Sequence, residues 1–264
     1  MYSRDVVDET FRLKALGLTD KAIAAQCGVS VQAIRHWRYG NRRAPATEGR
    51  RQDRTTYCPK CHNARLDDNA YAYLLGLYLG DGHITASRRG VYVLWVFCDN
   101  KYPGLMDLCG DAMQKVFPIT SFRASRGEGC TAVKAASKHW LCLFPQHGPG
   151  HKHSRRIALE TWQQEVVNNH PELFIRGLVH SDGCRALNRI RKRGRKDEYY
   201  EYPRYHFSNT SQDIVDLFTS SLERLGIPWT SHIQRQPPFK DKTAISVSRK
   251  EAVARMDAFV GPKY

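Results

Sequence analysis

Apolar residues recur along this chain in two rhythms, one at each end of a polar stretch. Near the start they come in short helical blocks. Leu13, Leu16 and Leu18 precede a Thr19-Asp20 helix start, Ile23 and Ala24 follow on the apolar side, and Cys27-Gly28-Val29 breaks the run. Ser30 can cap the next helix, in which Val31 and Ile34 point inward before Gly40 stops it. The order helix, Gly-Val-Ser turn, basic helix predicts a helix-turn-helix over residues 1–40, with Gln32, Arg35, His36 and Arg38 free to meet a DNA major groove. A helical hairpin that only packs on its neighbours is the plainer alternative. Residues 41–66 then read as a basic linker that ends in a Cys58-Pro-Lys-Cys61 pair.

The second rhythm runs from residue 67 to the end, and it repeats. Tyr73-Leu-Leu-Gly-Leu-Tyr-Leu-Gly-Asp-Gly82 aligns with Phe174-Ile-Arg-Gly-Leu-Val-His-Ser-Asp-Gly183. Behind each copy come strand-like stretches, "GVYVLWVFCDN" and "YPRYHFSNTS", each with a polar break after Phe97 or Phe207. Helical patterns follow in "PGLMDLCGDAMQKVF" and "SQDIVDLFTSSLERLG", each ending at a turn with proline. A short strand, a Ser-basic pair and a short helix close each copy, in "AVKAASKHWLCLF" and "AISVSRKEAVARMDAF". The expected fold is α+β: an α-β-β-α-β-β-α unit used twice, over 67–170 and 171–264, behind a small all-α domain. The insertion "RIRKRGRKDEYYEY" lengthens the first hairpin of the second copy.

Charge narrows the partners. Among 264 residues, 41 Lys and Arg against 26 Asp and Glu leave a formal +15, which favours a polyanion such as nucleic acid. No apolar run approaches the roughly 18 residues of a membrane span, and the start lacks the apolar core of a secretion signal. An intracellular protein without a membrane partner is expected, cytoplasmic or, in a bacterium, at the nucleoid. Its eight irregularly spaced Cys suggest reduced thiols. Cys58 and Cys61 have the spacing of half a Zn²⁺ site, whose other ligands would come from scattered residues such as His62, His83, Cys98, Cys109 or Cys130; unliganded thiols are the alternative.

The paired segments carry the chemistry. Gly76 and Gly80 in one, Gly177 and Ser181 in the other, lie four apart and so share a helix face, where small side chains let two backbones approach. Glycine inside a helix costs about 0.5–1 kcal/mol relative to alanine, so its recurrence implies helix-to-helix packing. Such packing delivers Asp81 and Asp182 together at the negative ends of two helices, with Gly82 and Gly183 turning the chain out. A divalent cation relieves the repulsion, and oxygen-only ligation suits Mg²⁺ and the hydrolysis of a phosphodiester. Either Asp-Gly alone would read as a turn.

These two segments resemble the motifs of the LAGLIDADG homing endonucleases in their single-chain, two-motif form, over the last three quarters of the chain. The resemblance implies a monomer with internal pseudo-twofold symmetry, whose two four-stranded antiparallel sheets sit as a saddle on double-stranded DNA. It further implies Mg²⁺ at Asp81 and Asp182, with the backbone of Gly80 and Ser181 beside it, and site-specific double-strand cleavage. Members that regulate transcription without cutting share the fold, and an attached helix-turn-helix is typical of those. Arg176 and His180 are polar where the second motif helix is often apolar, which suggests a wetter interface. Lys134 and Lys242 are candidate basic residues of the site. Strand position marks Arg88 and Arg89, and a dense run of Arg185, Arg189, Arg191, Lys192, Arg193, Arg195 and Lys196, as DNA contacts. Gly148 to Ile157 reads as a basic linker that touches the DNA backbone.

Overall fold

The computed structural model describes residues 2–39, 43, 58–191, 194 and 198–264. It divides into two compact units, Met1–Tyr57 and Cys58–Tyr264. Among its described residues, the first holds three helices, α1 (Arg4–Ala15), α2 (Asp20–Cys27) and α3 (Val31–Tyr39). Thr19 caps α2, Gly28 ends it in the left-handed region at φ 65°, and the Ser30 hydroxyl accepts from Ala33 N to start α3. Val7, Leu13, Ile23, Val29, Ile34 and Trp37 form a small core of their own.

The second unit begins with a one-turn helix, α4 (Pro59–His62), and runs into the first motif helix, α5 (Asp68–Asp81). Then come β1 (Gly82–Ala86), β2 (Tyr92–Asp99), α6 (Pro103–Val116), β3 (Phe122–Ser125), β4 (Cys130–Ser137) and the short α7 (Trp140–Leu143). After α8 (Thr161–Asn169) the pattern repeats: α9 (Pro171–Asp182), β5 (Gly183–Arg191), β6 (Tyr199–Asn209), α10 (Gln212–Arg224), β7 (Thr230–Gln234), β8 (Lys242–Val247) and α11 (Lys250–Val260). Both sheets are antiparallel and share one order, β1-β2-β4-β3 and β5-β6-β8-β7. The fold is therefore α+β and internally duplicated. Two departures from strict repetition stand out: the closing helix of the first copy shrinks to one turn, and α8, held at its start by a Glu160–Gln163 capping box, is added before α9.

One continuous core joins the two copies, because α5 and α9 pack against each other at its centre. Every residue of α5 from Ala70 to Leu79 is buried, so this helix has no solvent face. At the crossing, a Cβ on Gly76 would lie 2.5 Å from the Phe174 carbonyl, and one on Gly177 would lie 2.3 Å from the Tyr73 carbonyl. Each glycine thus meets the backbone of the other helix, and no side chain fits. Above the crossing, the Tyr73 hydroxyl and His180 Nδ1 lie 2.9 Å apart, and Arg176 stacks over the Tyr73 ring. Arg176 Nε and His180 Nε2 are buried without a hydrogen-bond partner among the described residues, and burial lowers the His180 pKa to about 4, so its ring is neutral near pH 7.

Replacing Gly177 by alanine should therefore destabilise the chain by about 1–3 kcal/mol, an overpacking cost. Gly148, where an added Cβ meets only Arg155 at 3.5 Å, is the comparison, and Gly148→Ala should change stability by less than about 0.5 kcal/mol. Urea unfolding of the two variants measures the difference.

Candidate active site

Asp81 and Asp182 are the last residues of α5 and α9. One turn past the glycine crossing, Gly80 faces Ser181: a Cβ on Gly80 would lie 2.0 Å from Ser181 Oγ and 3.2 Å from Asp182 Oδ2. The Ser181 hydroxyl is turned back onto its own helix, donating to the Gly177 and Leu178 carbonyls at 3.0 Å. Two small residues thus let the carboxylate ends converge. Gly82 and Gly183 then act by close approach rather than by the left-handed turn that Asp-Gly suggests. Gly82 and Gly183 have φ −85° and −109°, but a Cβ would lie 2.3 Å from Tyr78 Cα at the first and 2.8 Å from Val179 Cα at the second. Only glycine lets the strand leave the helix so tightly.

Two lysines close the helix ends. Lys152 Nζ donates to the carbonyls of Tyr78 at 2.6 Å, Gly80 at 2.5 Å and Gly82 at 3.0 Å. Lys263 does the same for the second copy, donating to Gly183 O at 2.6 Å and Ser181 O at 3.5 Å. A cation at a helix C-terminus satisfies orphan carbonyls and opposes the negative end of the dipole. The backbone carbonyls of Gly80 and Ser181, which the resemblance implies beside a metal ion, thus lie at the site next to the two acids and face the Lys152 and Lys263 ammonium groups, the second at longer range.

The electrostatics concentrate here. Burial, with the charge of Asp182 second, raises the Asp81 carboxyl to about 6. Burial also raises Asp182, against Lys152 and a hydrogen bond from Asn209 Nδ2 to its Oδ2 at 2.7 Å. Burial pulls Lys152 down to about 8 while the two carboxylates hold it up, and Lys263 is lowered by burial in the same way. Two half-buried acids that resist ionisation, bearing oxygen donors only, form a donor set suited to a hard divalent cation.

Sequence reasoning missed Lys152, Lys263 and Asn209. The linker lysine was expected to touch DNA, but it is spent on the helix end. A signal existed: each copy ends on Gly-Pro followed closely by Lys, at Gly148-Pro149 with Lys152 and at Gly261-Pro262 with Lys263. Of the two basic candidates, Lys242 acts on Asp182, whereas Lys134 stacks over the Trp95 ring at 4.8 Å together with Arg126 at 4.2 Å.

Strand alternation sorts the expected DNA contacts. Leu94 and Val96 are buried on the helix side, as are Tyr205 and Phe207. Arg185, Arg189 and Arg191 pair with Tyr205, Glu201 and Tyr199 and so share that side, while Arg204 and His206 point to the opposite face. Arg185 is tied to Asp257 of α11 by bonds of 2.7 and 3.0 Å, and Arg189 lies 3.1 Å from Glu201. Arg185 is thus engaged in a structural pair, and Arg189 and Arg191 are exposed on that same side. Arg88 and Arg89 are exposed between β1 and β2. Lys192, Arg193, Arg195 and Lys196 lie outside the described residues. On α3, Gln32, Arg35 and His36 are exposed, but Arg38 is half-buried and bonded to Asp20 at 3.3 Å, so it is not free as expected. Cys58 and Cys61 meet His139 and Cys142, and not His83, Cys98, Cys109 or Cys130.

No protein-family model matches this chain, and no curated protein matches it. Among solved structures it is similar to the LAGLIDADG homing endonuclease I-SmaMI bound to cleaved DNA, at 12% identity over 75% of this chain and 84% of that one, with a TM-score of 0.47. A second crystal of I-SmaMI, bound to uncleaved target with calcium ions, gives 12% identity, 75% and 85% coverage and 0.46. I-DmoI in complex with DNA and Ca gives 13%, 74% and 91%, and 0.47.

A carboxyl whose folded pKa exceeds its unfolded value favours the fold only while protonated. Asp81 therefore leaves stability untouched below pH 3.8 and lowers it progressively as pH rises through about 6. In buffer without Mg²⁺, Asp81→Asn should stabilise the protein by on the order of 2–3 kcal/mol at pH 7.5, and the gain should vanish near pH 4. Melting curves of parent and variant across this range test the sign.

Proposed function

We propose that this chain is a site-specific DNA endonuclease of the LAGLIDADG type, cutting both strands of double-stranded DNA with Mg²⁺. One observation carries the reading: two helices, pressed together at Gly76 and Gly177, bring two acids of raised pKa to one point between two equivalent sheets. The formal charge of +15 suits a duplex ligand, and no helix among the described residues is long and apolar enough to cross a membrane.

Asp81 and Asp182 are the residues that would hold Mg²⁺. When bound, the ion supplies Lewis-acid stabilisation of charge building on the phosphate. The chain's own residues do the rest. Lys152 and Lys263 keep the helix ends closed and add positive charge beside the acids, and Asn209 fixes the Asp182 carboxylate. On the sheet faces away from the helices, Trp95 with Arg126 and Lys134, and Arg204 with His206, offer stacking surface and donors to DNA.

A second reading is favoured by the N-terminal unit. Its independent core and the exposed Gln32, Arg35 and His36 of α3 fit a helix-turn-helix, which would make the protein a DNA-binding regulator that does not cut.

Incubation with genomic fragments and Mg²⁺, followed by mapping of ends, separates the two. The nuclease reading expects paired breaks at one or a few sites; footprints without ends would establish the regulator. Asp81→Asn or Asp182→Asn should slow double-strand cutting at least about 100-fold, with nicking of one strand retained. The double substitution should abolish cutting and leave DNA affinity within a few-fold. Parental cutting by the double variant would remove both acids from the reaction.

A further inference from the structure

The sulfurs of Cys58, Cys61 and Cys142 and a ring nitrogen of His139 all lie within 4.8 Å of one another. Cys61 Sγ is 3.5 Å from Cys142 Sγ, which in turn is 3.7 Å from His139 Nδ1. A tetrahedral ion with bonds near 2.3 Å to sulfur has ligand atoms about 3.8 Å apart, so the four atoms already mark the corners of such a site. Two local features prepare it. Cys58-Pro-Lys-Cys61 forms the turn α4, closed by the His62 N–H on the Cys58 carbonyl at 2.9 Å, and the following Asn63 adopts φ 51° to let the chain leave. Opposite, His139-Trp-Leu-Cys142 makes a second turn, anchored by Trp140 Nε1 on the Ala135 carbonyl at 2.9 Å.

We propose that these four residues bind one structural Zn²⁺. Three thiolates and one imidazole are a closed set that zinc favours over the harder ions, leaving no position for a substrate. Binding displaces three thiol protons and leaves one net negative charge, which Lys60 and Lys138 flank in sequence. The ion would pin the first residues of the second unit to the turn after β4. That turn is coupled to α5, because the carbonyl of Leu143 accepts from the Tyr71 hydroxyl, which also accepts from Gln163 Nε2 at 2.6 Å. Zinc therefore fastens the entry to the first motif helix, at the end remote from Asp81.

Full-length protein should be purified without added chelator and its metal counted by mass spectrometry. One zinc per chain is expected; Cys142→Ser and His139→Ala should lose it, and His62→Ala and Cys184→Ser should keep it. Removing zinc should lower the melting temperature by several degrees. If the ligand variants fail to fold, Co²⁺ added to the metal-free parental protein should give the visible bands of a tetrahedral ion and thiolate-to-cobalt charge transfer, saturating at one equivalent. A metal-poor protein whose melting ignores chelators, a Co²⁺ spectrum of octahedral type, or a Cys61–Cys142 disulfide in the native protein would overturn the proposal.

Discussion

Direct backbone contact between Gly76 and Gly177 sets the geometry of everything around it. Helices with ordinary side chains keep their axes 8–10 Å apart, a spacing that would separate the two acids at their ends. Here a Cβ on either glycine would collide with backbone of the other helix. Because α5 is buried along its length, the sheets, α6 and α8 must pack around that pair rather than the reverse. Strand β1 leaves α5 through Gly82, as β5 leaves α9 through Gly183, so the sheets inherit their positions from the same contact. The site is thereby placed on the pseudo-dyad, where a duplicated sequence meets itself.

Convergence of the helix ends creates a charge problem that the chain answers twice. Each copy sends a lysine from beyond its last strand back to the carbonyls of its own motif helix, Lys152 to the first and Lys263 to the second. These contacts neutralise the dipole ends and moderate, without cancelling, the repulsion between Asp81 and Asp182. Burial chiefly raises both carboxyl pKa values, and the charge of Asp182 adds to the rise at Asp81. It is a cost to the fold and an attraction for a cation. The copies differ beside the acids: Asp182 is held by Asn209, at the strand position where the first copy carries the buried Cys98.

Much of this was legible in the sequence because duplication writes each feature twice. The repeat with its glycines and terminal acids gave the element order and the α+β class, and the Thr19 and Ser30 caps marked the small helical unit. What escaped was long-range or depended on which face a side chain takes. Arg185 and Arg189 stand in a basic strand, yet alternation turns both to the helix side, and Asp257 claims the first. Arg38 reads as free on a basic helix, yet Asp20 of the preceding helix bonds it. Cys58 and Cys61 offered half a site, and only the fold brings His139 and Cys142 to them. Composition and spacing carry no information on such pairings.

If the two helices hold Asp81 and Asp182 in one shared, half-buried site, the acids must feel each other's charge. Carbon-13 titration of the aspartate carboxyls in Mg²⁺-free protein measures this directly. The account predicts that Asp81 titrates near 6 and that Asp182→Asn moves its midpoint down. A midpoint in the ordinary carboxyl range near 4, unmoved by that substitution, would mean that the acids do not share a site.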